Sequence, residues 1–451
     1  MSEMTGFKKQ AREEMFELLR IPSISTDPAH KADVERAAEF VEKGLKRAGM
    51  TRTELIRVGE GHPLVYGEWL GAEGKPTLLL YGHYDVQPVE PLEEWISPPF
   101  EPTVRDGNVY ARGACDDKGQ TWILVKAVEW LMQRDGRLPV NVRFLIEGEE
   151  ECGGESIAAF VEEHPERLAA DAAVICDSEM FAPEMPTICT GLRGIVYGEL
   201  HVEGPRTDLH SGVYGGVAPN PLMAVAEILT ALKGRDGKIA IPHFYDRVET
   251  PAEEEMAAWE TLPFDEEEYR RKEVGSPELT GEAGYSVFER VWARPTLEVH
   301  GIRGGFTGEG AKTVIPARAV AKISLRLVAD QRPEEVVEQL KAAIEGVTPR
   351  GVRASFKLLH AGAPSLVDPD NAYVKMAASA MEEVFGQRTV YMRSGGSIPI
   401  VGLFDRHLEI PSVLMGFGLP DDNLHAPNEK FHLANFDRGI EAVARYLERL
   451  G

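Results

Sequence analysis

Cysteine is scarce in this chain, with four residues (Cys115, Cys152, Cys176 and Cys189) in 451. They are too few and too scattered for a disulfide framework, and none forms a CxxC pair. Long apolar runs are missing too; nothing approaches the roughly 18 uncharged residues that cross a bilayer. The opening MSEMTGFKKQAREEMFELLRIP reads as an amphipathic helix and lacks the apolar segment of a secretory signal. Basic charge is in deficit, with 49 Lys and Arg against 73 Asp and Glu and a net charge of −24. Binding to nucleic-acid phosphate needs clustered cations, so that class is excluded, and no membrane partner is expected. Repeats at solenoid or propeller period and low-complexity tracts are also absent. The expectation is a soluble, cytoplasmic protein.

What is present is an ordinary globular composition, 43% hydrophobic and 27% charged. At about 150 residues per domain the length suggests two or three domains. In the first part of the chain, helix and strand patterns alternate. KADVERAAEFVEKGLKRAGM (31–50) and DDKGQTWILVKAVEWLMQRDG (116–136) read as helices, the second closing on glycine. PTLLLYG (76–82), PVNVRFLIEG (139–148) and DAAVICD (171–177) read as buried strands. This alternation predicts an α/β domain with a mostly parallel sheet covered by helices. The pattern then changes to strand–helix–strand–strand–helix–strand, the split βαβ or ferredoxin-like order. The expected organisation is therefore residues 1–190 and 363–451 as one domain, interrupted by a smaller α+β domain at 191–362. Within the insert, 243–292 is acidic and dotted with aromatics and gives no readable pattern.

Chemistry is concentrated where polar residues end the apolar strands. His83 and Asp85 follow LLLYG, Asp116 and Asp117 precede a helix, Glu147, Glu149, Glu150 and Glu151 follow VRFLI, and Asp177 follows AAVIC. In parallel α/β sheets the carboxyl ends of the strands converge on one edge, where ligands bind. A histidine and several carboxylates gathered there suit Zn²⁺, Mn²⁺ or Co²⁺. A lone Asp after a strand is ordinarily a turn residue or helix cap, and Glu149–Glu151 alone read as a solvated first helical turn. Coincidence on successive strand ends is what favours a site.

Taken together, GHYDVQP (82–88), ARGACDDKG (111–119), EGEEECGG (147–154), Asp177, DLHSG (208–212) and NLHAPNEK (423–430) resemble the M20 family of metallopeptidases, and within it the carnosine and Cys-Gly dipeptidase branch. The motifs run in the family's order across nearly the whole chain. The resemblance implies two divalent metal ions per subunit, zinc first with manganese or cobalt as alternatives, and Asp116 as the carboxylate bridging them. His83 and Asp177 would complete one metal site, Glu151 and His425 the other. Asp85 matches the carboxylate that orients the histidine, and Glu150 the general base. Three glutamates stand where the family has two, so a one-residue slip to Glu149 is the rival register. A cis peptide after the bridging Asp is also implied. The inserted domain becomes a lid and dimerisation domain. Its His210 would contact the tetrahedral intermediate from the partner subunit of a homodimer. Thr313, also acting across that interface, Arg326, Ser397 and the adjacent Gly396 match positions that hold the substrate's C-terminal carboxylate. The chemistry is coherent: two ions about 3.5–4 Å apart can share a water, lower its pKa and polarise the scissile carbonyl, while a glutamate that ligates neither takes the proton.

The expected function is hydrolysis of dipeptides or short peptides. The alternative is an N-acyl amino acid deacylase of the same fold family; His-Tyr-Asp and Asp-Asp-Lys at the motifs favour the dipeptidase. A two-metal phosphohydrolase lacks its basic clamps, and a non-catalytic relative would have lost a ligand or the base. GGFTGEGAKT (304–313) has the outline of a phosphate loop, but Phe306 and Ala311 occupy its required glycine positions. No HExxH or GxSxG is present. The cysteines beside proposed ligands are read as small buried packing groups.

Overall fold

The computed structural model describes residues 2–451 and divides into two compact units. The first runs to Thr190 and resumes at Val367–Met392 and Ile400–Gly451. Its sheet has the strand order Arg52–Ile56, Leu64–Trp69, Asn141–Glu147, Thr77–His83, Ala172–Ile175, Ser412–Leu414, Thr187–Leu192. The four strands from Asn141–Glu147 to Ser412–Leu414 are mutually parallel, flanked by antiparallel partners. Leu78, Leu79, Leu80 and Tyr81 are all fully buried, because a central parallel strand is covered on both faces. Alternate residues serve opposite layers. Leu78 and Leu80 join the large core with the helices Ser2–Leu19, Lys31–Arg47, Lys118–Asp135, Ala372–Phe385 and Leu433–Leu450. Tyr81 meets Phe404 of the helix Pro399–Leu408 edge-on at 6.0 Å. Two features lie beyond the sequence pattern. One is the antiparallel pair Arg52–Ile56 and Leu64–Trp69. The other is Ser412–Leu414, whose three residues are too short to show a period.

The second unit comprises Gly191–Leu366 with Arg393–Pro399. Its antiparallel sheet has the order Thr296–Gly304, Arg318–Leu327, Gly194–Glu203, Arg353–Gly362. Helices Pro221–Leu232 and Pro333–Val347 complete the ferredoxin-like arrangement and share its core. Burial alternates along Gly194–Glu203, as a sheet covered on one face requires. Asn220 caps the first helix through the Leu222 N–H, with Pro221 at the position where no N–H is needed. The stretch 243–292 contains the helix Glu253–Glu260 and two π-helical turns. An aromatic cluster organises it: Phe288 stacks on Trp292 at 4.3 Å, Trp292 meets Trp259 at 5.2 Å, and Phe264 meets Phe288 at 4.6 Å.

Candidate active site

The carboxyl ends of the parallel strands deliver the polar residues of the first unit to one place. His83 ends its strand, Glu147 ends the neighbouring one, and Asp177 lies two residues beyond Ile175. Asp116 precedes the helix Lys118–Asp135, across a cis peptide to Asp117. His425 stands on the loop after the Ser412–Leu414 strand.

Asp116 is the centre of the arrangement. Its Oδ1 lies 3.1 Å from His83 Nε2, and its Oδ2 lies 2.9 Å from His425 Nε2. Asp177 Oδ2 is 3.9 Å from His83 Nε2, and Glu151 Oε2 is 3.5 Å from His425 Nε2. Donor atoms of His83, Asp116 and Asp177 lie within 4.8 Å of one another, as do those of Asp116, Glu151 and His425. The two triads share Asp116, and each is one imidazole with two carboxylates. That donor set suits a borderline divalent cation.

Charge argues the same way. Burial pushes the Glu151 carboxyl up to about 8, with Asp116 adding repulsion. Burial likewise raises Asp177 to about 6 and Glu150 well above the ordinary range. Burial opposes the charged form of His83, but Asp116 and Asp85 outweigh it and hold its pKa well above the usual imidazole value. The hydrogen bond to Asp116 raises His425 to about 9. Burial opposes the charged form of Asp116, but its hydrogen bonds with His425 and His83 outweigh it and hold that carboxyl well below the ordinary range. The three acids around it are pushed toward their protonated forms, and divalent cations would relieve that crowding. The residues therefore fit the two ions that the motifs imply.

The supporting contacts divide the glutamates. Asp85 Oδ2 accepts the Glu151 N–H at 3.1 Å, while its carbonyl oxygen lies 3.2 Å from His83 Nδ1. One aspartate thus braces a member of each triad. Glu149 accepts the His62 N–H at 2.8 Å and the Ser156 N–H at 3.0 Å, so both its oxygens are spent on backbone. Among the described residues Glu150 has no such hydrogen-bond partner. The chain turns here through Gly153 and Gly154, at φ of 119° and 62°, so adjacent glutamates can serve different purposes.

In the second unit, His210 pairs with Val314 in a two-stranded ribbon, and Thr313 immediately precedes that second strand, its carbonyl accepting the Ser211 N–H at 3.1 Å. His210 is exposed, and its Nδ1 accepts the Gly212 N–H at 3.0 Å. Arg326 Nη1 donates to Ser397 Oγ at 2.8 Å, and the Gly396 carbonyl accepts the Arg193 N–H at 3.0 Å. Neither Arg193 nor Arg326 forms an ion pair with a carboxylate among the described residues.

Sequence reasoning passed over several contributors. Gln87 Nε2 donates to Glu151 Oε2 at 2.7 Å, and its place four residues after His83 in the same motif was the available signal. Arg193, in GLRGI, gave no signal of its own. Cys152 departs from the packing expectation: Cys115, Cys176 and Cys189 are buried, whereas Cys152 is exposed. It lies in the short helical turn Glu150–Cys152, not on a strand, so no alternation turns it inward.

Comparison with known proteins gives independent findings. The model of Peptidase family M20/M25/M40 matches residues 79–449. The chain is similar to the Cys-Gly metallodipeptidase of Schizosaccharomyces pombe, with 32% identity over 445 residues covering 95% of this chain and 93% of the relative. The solved structure of human carnosine dipeptidase 1 aligns with a TM-score of 0.87 at 29% identity, covering 100% of this chain and 97% of that one. An M20 family metallo-carboxypeptidase from Sulfolobus solfataricus aligns with a TM-score of 0.87 at 32% identity, covering 98% and 99%.

Proposed function

The chain belongs to peptidase family M20/M25/M40, and from that premise we propose that it is a metal-dependent dipeptidase hydrolysing the peptide bond of dipeptides or short peptides. The observation that carries this reading is Asp116, whose two oxygens each face one histidine Nε2 while a further acid closes each triad. His83, Asp116 and Asp177 would hold one cation, and Asp116, Glu151 and His425 the other, zinc first and manganese or cobalt as alternatives. When bound, the two cations supply Lewis acidity that acidifies a water and polarises the scissile carbonyl.

The remaining work falls to side chains. Glu150 takes the water's proton on its carboxylate and passes it to the departing amine. Among the described residues no hydrogen bond engages its carboxylate, against the double engagement of Glu149, and that contrast supports this register. Asp85 orients His83. In the second unit, His210 donates a hydrogen bond to the oxygen that becomes negative in the transition state. Acceptance of the Gly212 N–H by Nδ1 leaves Nε2 to carry the proton of the neutral ring, which supports this role. Arg326 with Ser397, Gly396 and Thr313 receives the substrate's C-terminal carboxylate; a half-buried guanidinium without a carboxylate partner among the described residues supports it. The reading includes a homodimer in which His210 and Thr313 serve the partner's site, the second unit acting as lid and dimerisation domain, and a cytoplasmic location. No described helix is long and apolar enough to cross a membrane.

The comparisons do not favour the deacylase alternative. A carboxypeptidase acting on longer chains is the second reading, favoured by the likeness to the Sulfolobus solfataricus enzyme. A substrate panel separates them. Metal-stripped enzyme reloaded with Zn²⁺, Mn²⁺ or Co²⁺ is assayed on dipeptides, tripeptides, longer peptides and N-acetyl amino acids. The dipeptidase reading expects the highest kcat/KM on dipeptides; preference for N-acetyl amino acids or for longer peptides overturns it.

A further inference from the structure

We propose that Glu429 is a positioning residue that fixes Asp116 between the two metal positions, by locking the backbone of the Gly113–Asp116 turn onto the loop that carries His425. The proposal rests on the two-metal reading above and adds to it the device that sets the spacing of the triads.

Glu429 is fully buried, four residues beyond His425. Its Oε2 accepts Arg112 Nη1 at 2.8 Å and the Gly113 N–H at 2.9 Å. Its Oε1 accepts the Cys115 N–H at 3.0 Å and the Asp116 N–H at 3.1 Å. Its own carbonyl takes the Ala111 N–H at 3.1 Å. The main chain approaching Asp116 thus spends most of its donors on this one residue. A carboxylate is suited to the place because it is acceptor-only, with room for several donors on two oxygens. Three of its four side-chain bonds come from backbone, and hydrogen bonds to an ionised acceptor are the strong ones.

The geometry leaves the turn few alternatives. Gly113 adopts φ of +79°, and a Cβ there would come within 2.6 Å of Val86 Cγ1. Arg112 is held as well, since its Nη2 donates to the Pro88 carbonyl at 3.0 Å. On the other side of the clamp, His425 is a non-glycine residue at φ of +59°, a conformation that persists only where its surroundings impose it. Neither Asp116 nor His425 is placed by a regular element, so the carboxylate between their backbones substitutes for one. The adjacent Asn428 provides an internal control. It ties the same loop elsewhere, accepting the Ile96 N–H at 2.8 Å and donating to the Glu94 carbonyl at 2.9 Å.

The test titrates metal-stripped protein with Co²⁺, following its visible absorption, for the unaltered chain, Glu429→Gln and Asn428→Gly, glycine being chosen because Asn428 adopts φ of +63°. Gln presents an N–H₂ to backbone N–H donors, so Glu429→Gln should bind Co²⁺ about 10–100-fold more weakly, the range for lost outer contacts to a metal site. Its spectrum should change and kcat/KM should fall, with part of the activity recovered at high metal. Asn428→Gly should keep the affinity and spectrum. A folded Glu429→Gln protein that binds Co²⁺ with unaltered affinity and spectrum overturns the proposal, as does an equal loss in Asn428→Gly. If Glu429→Gln does not fold, Arg112→Met decides: it removes one of the four donors and should weaken Co²⁺ binding several-fold, and unchanged binding overturns the clamp. Failure of the unaltered chain to take up two ions overturns the metal reading itself, separately from Glu429.

Discussion

The two triads that share Asp116 are chemically alike and built in opposite ways. His83 ends a central parallel strand with its side chain wholly buried, whereas the His425 side chain is 56% exposed on a loop. The backbone of the first is fixed by ladders to strands on both sides. The backbone of the second sits at a positive φ, on a loop that Glu429 joins to the Gly113–Asp116 turn. A sheet gives one half of the site its precision through ordinary folding, and the other half needs dedicated polar anchors. The buried half is thus the better preorganised, and the loop half the one from which an ion should leave first.

Substitution can break this comparison at three depths. Asp116→Ala removes the shared carboxylate, so both ions should be lost and turnover should fall to background; metal analysis showing two retained ions would contradict the shared role. His83→Ala should be next, abolishing the inner site and also destabilising the fold. It leaves buried Asp85 and partly buried Asp177 without their imidazole partner, a penalty of about 1–3 kcal/mol in urea unfolding. A variant as stable as the parent would show that His83 is not integral to the packed strand end. His425→Asn should have the smallest effect, since Asn tolerates positive φ and the site is exposed. One ion per chain should remain, with unfolding shifted by no more than about 0.5 kcal/mol. Loss of both ions there would erase the distinction between the halves.

The same contrast explains what was legible in the sequence. LLLYG, VRFLI and AAVIC mark buried parallel strands by composition alone, so the residues at their ends could be read as candidates for one edge. The series of motifs from 82 to 430 resembled the family whose model matches residues 79–449. Ser412–Leu414 was hidden because three residues show no period, and with it went the structural reason why the His425 loop reaches that edge. Glu149 and Glu150 are interchangeable on paper. Only folding shows that Glu149 is consumed by the His62 and Ser156 N–H groups. Glu429 sat inside a recognised motif, yet its partners lie more than 300 residues away in the chain. The aromatic cluster of 243–292 escaped for a similar reason, since Trp259 and Trp292 meet only once the segment has folded back on itself.

The central claim is a division of labour among adjacent acids, in which Glu151 binds metal and Glu150 moves the proton. The direct measurement is metal content together with steady-state kinetics of Glu150→Gln. Two ions per chain should be retained while kcat falls by about 10²–10⁴-fold, the usual contribution of a positioned general base. Unchanged turnover, or loss of an ion from that variant, would contradict it.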